Sequence, residues 1–317
     1  MALLLASGGA PEIVQAPVFA QEQQAADEKV QAEVRRLIEQ LDAPTFRERE
    51  EASRLLIEVG KPALPLLDEA MRGNSPEVRN RARKIHRALS VRPLRDAFID
   101  LARQPDDKLS VEQGMWLIAR ILNPQVTREE LNRQLDDIAE KVKLRLGKDV
   151  NPRTSDPTKV VDALRHVLFE DLKFIGNVAD YHNPNNSSLE KVLLQKKGLP
   201  ILLSHLVVAV ADRLGIPIVG VPMPGRYIVK YDASRAPPGF ALEDIYMDPF
   251  TGGKTMRPDE LPQLFPGLAD PETIKPSTNR LILIRMLTNL ETHLFERQQT
   301  DAAYDVVEYK RILEERG

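Results

Sequence analysis

Two adjacent residues, Ser204 and His205, carry a hydroxyl and an imidazole, the pair of groups that a nucleophilic mechanism needs. They stand inside the apolar run "PILLSHLVVAVADRL", whose pattern predicts a buried helix. Adjacent residues of a helix point about 100° apart, so these side chains do not face each other. The pattern therefore favours a helix-packing serine and a partly buried histidine with a backbone or carboxylate partner.

A polar loop, "NVADYHNPNNSS", precedes that helix and gathers side chains that can hold a ligand. We interpret Asn177, Tyr181, His182, Asn185 and Asn186 as candidates for lining a binding cleft. The asparagines have a competing and favoured use in capping turns. A single loop histidine is also typical of an exposed residue.

The chain contains no cysteine. This removes disulfides, cysteine metal ligands, thiolate nucleophiles and thiol redox switching from these 317 residues. His86, His166 and His293 are scattered over predicted helices without metal-ligand spacing. We therefore predict neither a metal site nor a cofactor.

The elements around the apolar helix predict an α+β domain. Helical patterns come first, and "IVGVPM", "RYIVKYD" and "EDIYMDPF" then read as strands of a small antiparallel sheet, followed by a turn at "TGGK". The helix is apolar around much of its circumference, so we expect it to be buried and its first residue to be held rigidly. The partial positive charge at a helix N-terminus can lower the pKa of a thiol and stabilise an oxyanion, so the start of this helix is a place where nucleophilic chemistry could be supported.

Residues from about Leu94 to Pro262 resemble the transglutaminase-like superfamily, specifically its SirB-type bacterial branch. The matching pieces are "FIGNVADYHNPNNSSLEKVLLQKKGLPILLSHLVVAVADRLGIPIVGVPMPGRYIVKY" and "IYMDPFTGG". The resemblance implies a papain-like α+β core. In that core a cysteine at a helix N-terminus, a histidine on one strand and an aspartate on the next form a triad.

Two of the three triad positions have changed residue type. The cysteine position implied by the resemblance falls on Pro200, which has no nucleophile, and the histidine position falls on Arg226. Arginine remains protonated and does not serve as an ordinary general base. Only Asp248 retains the type that the triad needs.

The family arrangement places Arg226 and Asp248 on neighbouring strands, which predicts an ion pair between them. The alternative is an Arg226 that is free to hold a ligand carboxylate or phosphate. With the loop residues, the predicted cleft comprises Asn177, Tyr181, His182, Asn185, Asn186, Arg226, Tyr227 and Asp248.

The flanking segments resemble helical repeats. Residues 28–93 resemble a HEAT-like repeat, with a capping box at Thr45 and Glu48 and a stop at Gly60. Residues 276–317 resemble a tetratricopeptide-like helix pair, which we expect to dock onto the 94–275 domain. A peptide-binding array is less favoured.

The first 27 residues have two interpretations. "ALLLA" and the "VFA" before "QEQQ" resemble parts of a signal peptide, but a basic start is missing and "SGGAPE" interrupts the apolar run. The alternative is a disordered tail. The first interpretation predicts an exported or periplasmic protein and the second a cytoplasmic one.

The composition limits the classes of binding partner that we expect. Lys and Arg number 44 against 47 Asp and Glu, so the net charge of -3 gives no global attraction for nucleic acid. No apolar run reaches the roughly 18 residues that a transmembrane helix needs. The partner that we predict is a protein or peptide of unspecified identity, which follows from the binding role expected of a family member without its triad. The oligomeric state is left open.

The leading hypothesis is a catalytically inactive transglutaminase-like protein that binds a protein or peptide. One alternative is a hydrolase or acyl-transfer enzyme that uses residues outside the triad positions. Another is a structural protein of the cell envelope.

Overall fold

The computed structural model describes residues 18–240, 243–268 and 274–315. The chain divides into two compact units, Met1–Arg92 and Pro93–Gly317. Residues 1–17, which carry most of the predicted tail or signal-peptide remnant, lie outside the described residues. The first helix begins at Val18, within the segment predicted to be a tail. Its alanine, glutamine and glutamate residues are good helix formers, and their polar pattern concealed that propensity.

The described residues of the first unit form mainly helices. They are α1 (Val18–Gln40), α2 (Phe46–Val59), α3 (Leu64–Ala70) and the first part of α4 (Pro76–Ala102). The predicted capping box is confirmed, because Thr45 Oγ1 accepts the Glu48 N–H at 3.2 Å and Glu48 Oε2 accepts the Thr45 N–H at 3.3 Å. Gly60, with a φ of 76°, ends α2 as predicted. The buried core of this unit includes Val34, Leu37, Leu56, Leu67 and Ile85.

Helix α4 continues across the boundary that the sequence placed at residues 93 and 94. Pro93 lies inside it, where proline has no N–H to donate to the carbonyl four residues earlier, that of Leu89. A proline is an ordinary signal for a helix end, and here the helix accommodates it.

The second unit contains the remaining helices. They are α5 (Val111–Leu122), α6 (Arg128–Leu146), α7 (Pro157–Arg165), α8 (Leu189–Gln195), α9 (Pro200–Leu214), α10 (Leu261–Leu264), α11 (Asn279–Glu296) and α12 (Thr300–Glu314). A π-helical segment, His166–Asp171, extends α7. None of the described helices is both long and apolar enough to cross a membrane.

In the described part of the second unit, six strands form two sheets. Strands β1 (Ile175–Gly176) and β2 (Lys197–Gly198) make a short parallel pair. Strands β3 (Ile218–Met223), β4 (Arg226–Tyr231), β5 (Ile245–Asp248) and β6 (Lys254–Met256) form an antiparallel sheet in that order. The predicted α+β class and three predicted strands are confirmed, whereas β1, β2 and β6 were not predicted. Each has only two or three residues, too few for a periodic pattern.

Helix α9 lies at the centre of the second unit. It packs against β3 and β4 on one side and α6 on another, and most of its residues are buried, as predicted. Helices α11 and α12 pack on each other, and α11 also packs against α5 and α9. The Phe98 and Tyr309 rings stack at 4.6 Å. The C-terminal helix pair therefore docks onto the core, as the sequence predicted.

Replacing Gly114 by alanine tests the close packing of α5 on α11. Glycine to alanine in a helix ordinarily stabilises a protein by about 0.5–1 kcal/mol. Here the new Cβ would lie 2.4 Å from methyl carbons of the fully buried Leu283. We expect Gly114→Ala to lower the free energy of unfolding by about 1–3 kcal/mol, measured by urea denaturation. Gln113→Ala in the same helix is the control. If Gly114→Ala were as stable as the unsubstituted chain, or more stable, the packing argument would be wrong.

Candidate functional site

Helix α9 begins at Pro200, so the residue at the predicted nucleophile position stands first in the helix. Leu199 is the extended residue before it, and its N–H donates to the Asn186 carbonyl at 3.2 Å. Pro200 is buried, and its ring carries neither an N–H nor a nucleophilic atom. This helix start is firmly packed and offers no reacting group.

Two predicted cleft residues, Asn177 and Asn186, hold the polar loop together. Asn177 Nδ2 donates to Asn186 Oδ1 at 2.9 Å, and both side chains are buried. Asn186 Nδ2 donates to the carbonyls of Asp180 and Tyr181 at 2.7 and 2.9 Å. A primary amide has two N–H donors, so Asn186 keeps none for a ligand. The two asparagines therefore support the loop, which was their competing use, while Asn185 is half-buried.

Arg226 and Asp248 form the ion pair that the sequence predicted. Arg226 Nη1 lies 3.1 Å from Asp248 Oδ2. The arginine side chain is 32% exposed and the aspartate side chain 7%, so the carboxylate is nearly dry while the guanidinium reaches solvent. A guanidinium has five N–H donors. Arg226 therefore stabilises Asp248 and retains donors for a ligand.

Asp248 also caps the turn after β5. Its Oδ1 accepts the Phe250 N–H at 2.9 Å, and its carbonyl accepts the Gly253 N–H at 2.9 Å. Gly253 has a φ of 77°, and a Cβ there would lie 2.2 Å from the Phe169 ring. The "DPFTGG" motif thus needs its aspartate and last glycine for the turn itself.

Aromatic rings continue outward from the ion pair. The Arg226 guanidinium carbon lies 5.0 Å from the centre of the Phe250 ring. The Phe250 ring contacts the Tyr181 ring edge-on, with 5.9 Å between the ring centres. Gly176 leaves space for the Phe250 ring, because a Cβ at Gly176 would lie 2.4 Å from a carbon of that ring. We call Arg226, Asp248, Phe250 and Tyr181 the arginine–tyrosine surface.

His182 adjoins this surface. Its ring lies 5.5 Å from that of Tyr181, and its Nδ1 is 2.7 Å from Glu296 Oε2. The centre of the His293 ring lies 5.1 Å from that of the His182 ring. Burial lowers the pKa of His293, and His182 adds to the shift. In the described part of the chain, no group of three or more histidine and carboxylate side chains is arranged to hold a metal ion.

Tyr227 does not belong to this surface, contrary to the sequence prediction. Successive side chains of a strand alternate between faces, so Tyr227 points away from Arg226 into the core, where it is 1% exposed. Its hydroxyl lies 3.3 Å from His205 Nε2, and its carbonyl accepts the Ser204 hydroxyl at 3.0 Å. The Arg285 guanidinium carbon lies 5.2 Å from the centre of its ring.

Ser204 and His205 are core residues that do not act on each other. Ser204 is fully buried and uses its single donor on the Tyr227 carbonyl. Burial lowers the pKa of His205 to about 3 and raises that of Tyr227 to about 12, so both are uncharged at neutral pH. The expected packing roles agree with these contacts. The partner of the histidine is a tyrosine hydroxyl, where the sequence suggested a backbone group or a carboxylate.

Sequence reasoning missed Phe250 and Glu296 as neighbours of the site. Phe250 carried a usable signal, because it stands two residues after an aspartate in a turn, where an Asx cap fixes its backbone. Glu296 lies more than a hundred residues from His182 along the chain. No local pattern reports such a contact.

Comparisons with known proteins identify chains of related sequence. The sequence profile of the transglutaminase-like superfamily matches residues 129–288, half of the chain. The UPF0162 protein of Xylella fastidiosa strain 9a5c is 32% identical over 214 residues, covering 64% of this chain and 71% of the relative. Human F-box only protein 21 is 28% identical over 224 residues, covering 65% of this chain and 35% of the relative.

A UPF0162 protein of Vibrio cholerae is 23% identical over 155 residues, covering 49% of this chain and 53% of the relative. The chain spans about a third of the length of the F-box relatives that it matches. No solved structure matches it.

A double-mutant cycle on Arg226 and Asp248 measures how strongly the pair depends on burial. Arg257 and Asp259 form a matched control pair at the same 3.1 Å, with side chains 72% and 67% exposed. We expect a coupling free energy of about 1–3 kcal/mol for the first pair and about 0–1 kcal/mol for the control. Alanine substitutions and chemical denaturation provide the measurement. Equal coupling in both pairs would refute a special role for the dry carboxylate.

The buried His205 predicts a loss of stability in acid. Its folded pKa lies below the ordinary value of 6.5, so the unfolded chain takes up a proton first as the pH falls. This group's contribution is complete above the unfolded pKa and declines by about 1.4 kcal/mol per pH unit towards the folded pKa. Denaturation of His205→Gln should show a shallower decline between these pKa values than the unsubstituted chain. Tyr227→Phe keeps the imidazole and serves as the control; identical slopes for His205→Gln and the unsubstituted chain would count against the assignment.

Proposed function

Because the chain belongs to the transglutaminase-like superfamily, we propose that it is a catalytically inactive member that binds a protein or peptide through the arginine–tyrosine surface. The observation that carries the proposal is the Arg226–Asp248 ion pair, which occupies the positions that the resemblance assigns to the triad base and acid. A protonated guanidinium accepts no proton from a nucleophile. Pro200 and the lack of cysteine in these 317 residues remove the thiolate.

The chemistry of the surface supports recognition of a polypeptide segment. Tyr181 is 39% exposed, and the same loop region exposes Val178 at 76% and Ile175 at 46%. Aromatic and arginine side chains are enriched among residues that dominate binding energy at protein interfaces. The partner segment that fits carries an apolar side chain for the Tyr181 region and a carboxylate for the free donors of Arg226.

The finer family assignments belong to the same proposal. We propose that the transglutaminase-like domain is of the SirB type, that residues 28–93 form a HEAT-like repeat and that residues 276–317 form a tetratricopeptide-like pair. Short consecutive helices with a shared apolar core support the HEAT-like assignment of residues 28–93. The close packing of α11 on α12 supports the second.

A peptide-binding experiment tests the function. The full-length chain is used to select a random peptide library, and the dissociation constants of enriched synthetic peptides are measured by fluorescence anisotropy. We expect Arg226→Ala and Tyr181→Ala each to raise the dissociation constant about tenfold, since each removes a central contact. Arg257→Ala removes an exposed arginine elsewhere and should leave it unchanged.

Two outcomes would defeat the proposal. In the first, the selection enriches no peptide, or the enriched peptides bind both site variants as tightly as the unsubstituted chain. In the second, the protein turns over peptide or ester substrates and loses that activity in Ser204→Ala or His182→Ala, which would favour the hydrolase or acyl-transfer alternative.

A further inference from the structure

A cavity of about 500 Å³ lies in the second unit and shares no lining residue with the arginine–tyrosine surface. It is bounded by β3, by one face of α9 and by the beginnings of α5 and α11. Pockets that bind small ligands commonly have volumes of about 300–1,000 Å³. The space is therefore large enough for a small organic molecule.

One stripe of α9 forms a wall that is polar at its ends and apolar between them. His205, Ala209 and Asp212 line the cavity at helical spacing. Seven residues of helix place His205 and Asp212 about 10 Å apart along the axis. Met115 and Ile282 add apolar surface from α5 and α11. A ligand that fits this wall has an apolar body with polar groups at its ends.

The inner end of the cavity is a neutral hydrogen-bonding group. His205 is 4% exposed, and its Nε2 lies 3.3 Å from the Tyr227 hydroxyl. Gly220 in β3 makes this arrangement possible, because a Cβ there would lie 2.7 Å from the Tyr227 ring and 3.2 Å from His205 Nε2. An uncharged imidazole beside an uncharged phenol suits a neutral polar or aromatic side-chain end.

The outer end of the cavity carries two opposite charges, Asp212 and Arg235, that do not form an ion pair with each other. Glu112 at the rim is held by Arg213 through two contacts of 2.7 and 3.0 Å. Asp212 and Arg235 are both exposed, and neither forms an ion pair with another described residue. Both side chains line the same cavity. Desolvation by the surrounding protein and the charge of Glu112 raise the pKa of Asp212, while Arg213 and Arg235 lower it.

We infer that this cavity binds a free amino acid with an apolar or aromatic side chain. Its ammonium group lies at Asp212 and its carboxylate at Arg235, while its side chain extends between Met115 and Ile282 towards His205. The complementary charges of a zwitterion match the two unpaired groups at the rim, which a simple cation or anion would satisfy only in part. This inference goes beyond the proposed peptide-binding function and uses none of its residues.

Thermal denaturation and calorimetry test the inference with defined probes. The full-length chain is screened for a rise in melting temperature with each of the twenty proteinogenic amino acids. The strongest binder is then titrated beside its carboxamide and its deaminated acid. We expect apolar or aromatic amino acids to stabilise the protein. Asp212→Asn and Arg235→Gln should each raise the dissociation constant about tenfold.

If the assignment is right, removing a charged group from the protein must abolish the effect of removing its partner group from the ligand. Arg235→Gln should bind the amino acid and its carboxamide equally, because the carboxylate has lost its partner. Arg226→Gln should leave the titration unchanged, which separates this site from the peptide-binding surface. The inference is overturned if no amino acid raises the melting temperature, or if both rim variants, folded by circular dichroism, bind as tightly as the unsubstituted chain.

Discussion

The burial of α9 is the constraint on which the second unit depends. Its apolar side chains pack against the sheet on one side and against α6 on another, and each such side chain contributes about 1.5–3 kcal/mol on burial. A helix held in this way cannot rotate or shift without exposing apolar surface. Its first residue, its neighbouring loop and its cavity-facing stripe are therefore fixed relative to one another.

In the inactive protein that we propose, the Arg226–Asp248 pair would keep the geometry of a triad site without its proton transfer. A histidine and a guanidinium both present planar N–H groups to a carboxylate, so the aspartate keeps a partner. The difference is that the guanidinium does not release its proton at physiological pH. The pair leaves a fixed positive charge beside the Phe250 ring, an arrangement that can hold an anionic group of a ligand.

The sequence predicted the parts of this structure that have a local physical cause. Periodicity gave α9 and three strands, and side-chain chemistry gave the capping box of α2. The ion pair was predictable because the family arrangement supplied the neighbouring strands. Contacts between distant segments, such as His182 with Glu296 or His205 with Tyr227, leave no local pattern. Tyr227 was misplaced because alternation along β4 was not applied to the residue after Arg226.

Asp248 has a structural role in the turn that is independent of any catalytic role. The turn uses this aspartate whether or not the site is catalytic, because its carboxylate caps the turn and its carbonyl accepts the Gly253 N–H. The presence of Asp248 is therefore weak support for enzymatic activity. The Arg226 side chain hydrogen-bonds to Asp248 and to no backbone group among the described residues. The residue type at this position therefore bears more directly on whether the site can transfer a proton.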